Sequence, residues 1–290
     1  MNFYRLLKSC FFLLLCGIST FVVGQEDSPP TLKKQHYFIA GINLSPTNKS
    51  QDLAFSPLTY KGRGIGGSVG YLLTSEKFEF LIDGGFDFGI LYTHLSGVTD
   101  AGGNIFYYVP VHTHALWKVN PVFSSKENVH FKVGAAIDFT GNYRGNFSYT
   151  NSSLNFEYVS GFGLATQFAW DVSLPSSGKF LRKKDRDFTF LWNFSLPLMG
   201  TYIRPSYNTI SNFTTGANFI SGEGKNNFAF IGDLVQVSSR LEFYYHLHNK
   251  NALRFNYVWR YYGVNEGSSG TSKGASHRLG IAFMFNLTGK

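Results

Sequence analysis

Apolar and polar residues alternate one by one along nearly the whole chain from Tyr37 to Leu287, and this period of two constrains the fold more than anything else in the sequence. In the last such segment His277, Leu279, Ile281, Phe283, Phe285 and Leu287 share one face, while Arg278, Gly280, Ala282, Met284 and Asn286 share the other. The segment before it repeats the pattern, with Leu253, Phe255, Tyr257, Trp259 and Tyr261 opposite Arg254, Asn256, Val258 and Arg260. Side chains two residues apart share a face only in an extended strand, so the chain reads as all-β, with helical periodicity nearly absent.

Working backwards, further strands fall near 234–248, 187–203, 154–172, 128–140, 104–119, 77–93 and 63–74, with a weaker first strand near 36–44. Most exceed the ordinary soluble strand of about 5–6 residues and reach the roughly 9–11 needed to cross a bilayer at a tilt. Connections near 45–62, 94–103, 141–153, 204–233 and 263–275 are mostly long and rich in Gly, Ser, Asn and Thr. Those near 75–76, 120–127, 173–186 and 249–250 are mostly tight. Long loops alternating with short turns are the rhythm of a transmembrane antiparallel up-and-down β-barrel. The expectation is about ten strands over 36–288; the long turn at 173–186 keeps eight or twelve compatible. A soluble β-sandwich also alternates.

The tryptophans separate these folds. Trp117, Trp170, Trp192 and Trp259 all fall on the apolar parity, Trp117 and Trp170 near predicted periplasmic ends, Trp192 early in its strand and Trp259 towards the opposite end. Amphipathic rings favour the water–lipid interface and form the aromatic girdle of a barrel. The other parity is polar. It carries Glu79, Asp83, Asp87, His112, His114, Lys118, His130, Lys132, Asp138, Glu157, Gln167, Asp171, Arg240, Glu242, His246, Arg254, Arg260 and Arg278. Charges are costly in lipid, so this face must line the interior.

Within that lumen the acids Asp83, Asp87, Glu157 and Asp171 lie on strands three and six, and Asp138 on strand five. Arg240, Arg254, Arg260 and Arg278 crowd strands eight to ten, with Glu242 among them. Closure sets an acid wall against an arginine wall. This reads either as a paired network filling a narrow lumen or as a transverse field selecting solutes in a pore. Small residues such as Gly85, Gly134 and Gly161 leave room for long side chains from the far wall. Pro110 and Pro197 lie inside strands and lack an N–H, so each should mark a bulge or local break.

The N-terminal region differs in kind. Arg5 and Lys8 without an acid, an apolar run from Cys10 to Val23, and small Val22 and Gly24 make residues 1–24 a secretory signal peptide cleaved before Gln25, with 25–35 a periplasmic linker. Both cysteines, Cys10 and Cys16, fall inside it, so disulfide, thiolate-metal and cysteine-nucleophile chemistry are absent from the mature chain. Charged residues make up 15% and aromatics 18%, few charges against the roughly 25% of ordinary soluble proteins. The net charge of +8 is scattered apart from Arg182-Lys183-Lys184 in a predicted turn, so nucleic acid is not an expected partner.

Candidate chemistry is sparse. His112 and His114 share a lumenal face, with Asp83 expected alongside, and two imidazoles with a carboxylate could hold a divalent metal; alternate polar residues are also ordinary in a polar lumen. Gly62, Gly64, Gly66 and Gly67 precede no helix and suit strand bending rather than phosphate binding. No cofactor is expected. His94-Leu95-Ser96 resembles the His-x-Ser element of outer-membrane phospholipases and lipid A deacylases. That resemblance implies a lipid-facing acyl-hydrolase site in which His94 activates Ser96. The third group of those families has no counterpart, since Asn104 is too close and position 108 is Tyr.

With its Gln25 mature start, aromatic strands over Phe78–Tyr92 and Asn104–Lys118 and a last strand near the C-terminus, the chain resembles outer-membrane β-barrel proteins of Bacteroidota-type Gram-negative bacteria. It departs from them in running past Phe285 to Lys290 rather than finishing on an aromatic residue. The resemblance implies a cell outer-membrane location, with lipids, lipopolysaccharide and the barrel-insertion machinery as partners and a protein partner at the extracellular loops. It implies a location more than an activity; the leading functional reading is a porin-like narrow pore or a partner-binding scaffold, and the alternative is a lipid-acting acyl hydrolase using His94 and Ser96.

Overall fold

The computed structural model describes residues 34–52, 56–93, 104–119, 128–145, 154–175, 186–203, 226–265 and 271–288. They form eleven antiparallel strands: β1 (Gln35–Asp52), β2 (Ser56–Thr74), β3 (Phe78–Tyr92), β4 (Asn104–Val119), β5 (Val129–Gly145), β6 (Leu154–Leu174), β7 (Arg186–Ile203), β8 (Asn226–Phe230), β9 (Leu234–His246), β10 (Ala252–Asn265) and β11 (Thr271–Asn286). Sequence neighbours pair throughout except that β8 and β9 both pair with β7, and β1 pairs with β11, so the sheet closes on itself. Closure removes the sheet's edges except along β8, which pairs with β7 alone among the described strands.

Eleven strands make ten wall positions, because β8 and β9 are one interrupted strand. Both lie against β7, β8 opposite Met199–Ile203 and β9 opposite Asp187–Ser195. Between them Ile231–Asp233 forms a turn in which Gly232 takes a φ of 121°, a conformation that suits glycine because it has no Cβ. Part of the loop expected at 204–233 is thus wall.

Short connections at 75–77 and 247–251 close one end, where β1 begins and β11 finishes; we call this the turn end and its opposite the loop end. The strands run further towards the loop end than the sequence suggests. The connection expected at 45–62 is mostly strand, since β1 continues to Asp52 and β2 starts at Ser56. A bulge at Ser45–Pro46, where the register against β2 and β11 shifts, carries the strand past the proline. β5, β10 and β11 likewise extend into the connections expected at 141–153 and 263–275. Pro197 adjoins a bulge in which Leu198 has no partner on β6. At Pro110 the ladder to β3 lapses opposite Gly85 and Phe86, while pairing to β5 continues.

Burial follows parity. Outward side chains are apolar and exposed, Ile42 at 69% and Ile65 at 64% among them, whereas Asp83, Asp138, Arg240 and Arg254 are each about 1% exposed. On β1 the outward run is Phe38, Ala40, Ile42 and Leu44 before the chain turns polar at Thr47 and Lys49. Aromatic pairs occur at both ends of the wall: Phe78 with Trp117 at 5.2 Å, Trp170 with Phe190 at 5.8 Å and Phe190 with Phe243 at 4.9 Å between ring centroids towards the turn end, and Phe139 with Tyr158 at 5.9 Å and Tyr143 with Tyr158 at 5.7 Å towards the loop end. Trp117, Trp170 and Trp192 are 51%, 45% and 52% exposed on the outer face. Trp259 also faces outward but stands mid-strand on β10, paired with His277 and Ser239.

Candidate functional site

The lumen is the candidate site, and it is filled from wall to wall by polar side chains. Among the described residues six buried carboxylates (Glu79, Asp83, Asp87, Asp138, Glu157, Glu242) face six buried Lys or Arg side chains (Lys132, Arg144, Arg240, Arg254, Arg260, Arg278). The interior is therefore close to neutral, as burial of so many ions demands.

At mid-height, Asp83 on β3 accepts from Arg240 Nη1 at 2.6 Å and Arg254 Nη2 at 2.9 Å, reaching across to β9 and β10. Glu242, two residues from Arg240 on the same face, completes the cluster by accepting from Arg254 and, at 2.6 Å, from the Tyr244 hydroxyl. The acid-against-arginine arrangement is thus only partial, because Glu242 belongs to the arginine wall. Nearer the loop end, Glu157 accepts from Tyr262, from Ser272 at 2.5 Å and from Asn142 at 3.1 Å, with Arg144 at 3.4 Å. Asp87 accepts from Ser45 at 2.8 Å and lies 3.9 Å from Arg278. Gly85 makes this possible, since a Cβ there would collide with the Arg278 guanidinium.

Towards the turn end runs a chain of hydrogen bonds. Ser195 Oγ donates to Asp138 at 2.5 Å, and Asp138 meets His112 Nδ1 at 2.8 Å. His112 Nε2 faces His114 Nδ1 at 3.0 Å, His114 Nε2 reaches Glu79 at 3.1 Å, and Glu79 accepts from Lys132 Nζ at 2.6 Å. Gln167 joins Glu79 to Asn193. Two imidazoles between two carboxylates make all three intervening links at once only when the four groups share three protons, because each link needs one. With two, one link opens.

This geometry corrects the metal reading. Asp83 does lie directly across from His112 in the β3–β4 ladder, but its carboxylate turns to the arginines. His112 bonds instead to Asp138, its partner on β5. The nitrogens of His112 and His114 point at one another rather than converging, and among the described residues no three His, Asp or Glu side chains form a metal-binding group. Asp171 also departs from the expected network: it sits at the turn-end mouth, its side chain 47% exposed, with His130 at 3.2 Å and Thr189 donating at 2.7 Å. His94 and Ser96 lie outside the described residues. Parity had already placed Glu79, Lys132, Asp138 and Gln167 in the lumen, but Arg144, Ser195, Tyr244 and Tyr262 were missed. The β4–β5 register, which sets His112 opposite Asp138, is the signal that would have found the relay.

The filled middle separates two cavities. At the turn end a vestibule of about 300 Å³ is lined by apolar Tyr37, Leu72, Leu191 and Met284 and by Glu79, His130, Lys132 and Asp171. At the loop end a smaller one of about 30 Å³ lies among Asn48, Tyr108, Arg144, Arg260, Tyr262 and Ser276. Between them, the space bounded by His112, His114, Asn193, Ser195 and Arg240 holds no water-sized volume.

No family model and no curated relative matches the chain. Similar solved structures are the translocator domain of autotransporter NalP from Neisseria meningitidis (10% identity, 96% of each chain covered, TM-score 0.36), the outer-membrane protease OmpT from Escherichia coli (8% identity, 91% of this chain and 99% of that one, TM-score 0.41), and the toluene transporter TodX from Pseudomonas putida (7% identity, 89% and 90%, TM-score 0.31). At these identities and scores the likeness carries nothing about activity.

Proposed function

We propose that this chain is an integral outer-membrane β-barrel, delivered by a cleaved signal peptide, whose lumen is held shut by paired charges, so that it serves as a membrane scaffold rather than an open pore. The observation that carries this reading is the inversion of the usual burial order: the charges lie inside and a continuous apolar belt lies outside. A soluble monomer rarely exposes an apolar patch beyond a few hundred Å², whereas in lipid that belt is the solvent-matched face. The space bounded by His112, His114, Asn193, Ser195 and Arg240 at mid-height admits no water, which supports the closed state over the pore.

The outer face also suits lipid headgroups, including lipopolysaccharide. Outward strand positions among the described residues carry no carboxylate, and Lys49, Lys61, Arg63 and Lys273 are exposed together at the loop ends of β2, β1 and β11. Lys49 stands directly opposite Lys61. Like charges so placed repel, and a lipid phosphate between them would relieve that. Folding by the barrel-insertion machinery and a protein partner at the loop end belong to the same reading. Heat-modifiable gel migration together with detergent-dependent extraction tests it. A folded form that migrates differently from the boiled form and leaves membranes only in detergent is expected; a chain soluble without detergent would refute it.

A further inference from the structure

We infer that the loop-end vestibule of the lumen is a binding site for one small monovalent anion, held by Arg260 and Asn48. This goes beyond the scaffold reading and does not depend on it, because the site lies inside the barrel wall.

The charge balance of the whole lumen does not hold within its outer half. There Asp87 and Glu157 face three guanidinium groups. Arg144 lies 3.4 Å from Glu157 and Arg278 lies 3.9 Å from Asp87. Arg260 has no carboxylate within ion-pair distance among the described residues: it is 6% exposed, has the Tyr108 hydroxyl as a polar neighbour, meets Asp138 and Asp83 only at longer range, and none of its three side-chain nitrogens makes a hydrogen bond of ordinary geometry. Its companions in the vestibule are the neutral Tyr108 and Ser276 and a second cation, Arg144. A desolvated guanidinium without a close counter-charge is costly, and the outer half of the lumen holds one carboxylate fewer than guanidinium groups.

Asn48 supplies an independent observation. Its Nδ2 is buried, lines the same vestibule and also lacks an acceptor. The unsatisfied groups of Arg260 and this Nδ2 are all donors, so what completes the site is an acceptor rather than a cation. The vestibule of about 30 Å³ exceeds the roughly 10–15 Å³ that one water needs by the same measure and is still small. It therefore admits chloride or a small free carboxylate such as formate. The planar guanidinium fork suits a carboxylate best.

The test uses the full-length protein refolded in detergent, with unfolding followed by gel mobility while sodium formate or sodium chloride replaces sodium gluconate at constant ionic strength. A saturable rise of the unfolding midpoint is expected with formate or chloride, since gluconate is too large for the cavity. Arg260→Gln should abolish the saturable part, and Arg260→Lys should weaken it about ten-fold by losing the fork. Asn48→Asp places a carboxylate beside Arg260 and should fold without any response to either anion, which keeps the test decisive if Arg260→Gln fails to fold. A parent midpoint identical in all three salts would mean that water alone fills the vestibule and would overturn the site. So would a full anion response in Asn48→Asp.

Discussion

Asp83 on β3 and Arg240 on β9 stand five strands apart whichever way the barrel is followed, yet their carboxylate and guanidinium meet at 2.6 Å. Their side chains span the full width of the lumen, and Arg254 braces the same carboxylate from β10. Because both partners are about 1% exposed, neither charge has water to fall back on.

Asp83→Asn should therefore cost about 3–5 kcal/mol, the usual penalty for stranding buried charges. Urea unfolding from lipid vesicles would measure it. Replacing the pair by apolar residues, Asp83→Leu with Arg240→Met, leaves Arg254 with Glu242 and should recover at least half of that loss. Equal destabilisation in the single and double variants would show that the contact itself contributes little.

Gly85→Ala tests how tightly the lumen is filled. The added methyl group strikes the Arg278 guanidinium, and overpacking of this kind costs about 1–3 kcal/mol. In an Arg278→Gln background the same change should cost much less, because the obstructing group is gone. The comparison is again one of unfolding midpoints.

Ile42→Arg separates lipid from water at the outer face. Ile42 is opposite Ile281 on β11, midway between the aromatic turn end and the basic loop end. Facing lipid near the midplane, arginine should cost about 2–4 kcal/mol of folding stability in bilayers. A water-exposed isoleucine would accept the change within about 0.5 kcal/mol.

Much of this was legible in the sequence, and the reasons are physical. A strict period of two decides which face each residue takes once a strand is granted, so lumenal Asp83, Glu157, Arg254 and Arg278 could be placed from parity alone. Length signals were weaker. The first strand, expected over 36–44, is carried by a bulge on to Asp52; bulges are settled by the neighbouring strands, which the local sequence does not reveal. Partner choice was least legible. Asp83 and His112 are ladder neighbours, as the hairpin reading implied, but Asp83 is claimed by two cations from the far wall and His112 by Asp138. Which contact wins depends on closure of the barrel, a property of all ten wall positions together. The interruption between β8 and β9 was likewise hidden in a segment rich in Gly, Ser and Asn.

The central claim is that the lumen is sealed at mid-height by the Asp83, Arg240, Arg254 and Glu242 cluster and the histidine relay beside it. Single-channel recording in planar bilayers tests it most directly, using protein first shown to be folded by its gel mobility. The account predicts no discrete current steps from the parent, and steps from a variant in which Asp83, Arg240, Glu242 and Arg254 are all changed to Ser. Steady open-channel steps from the folded parent would contradict it.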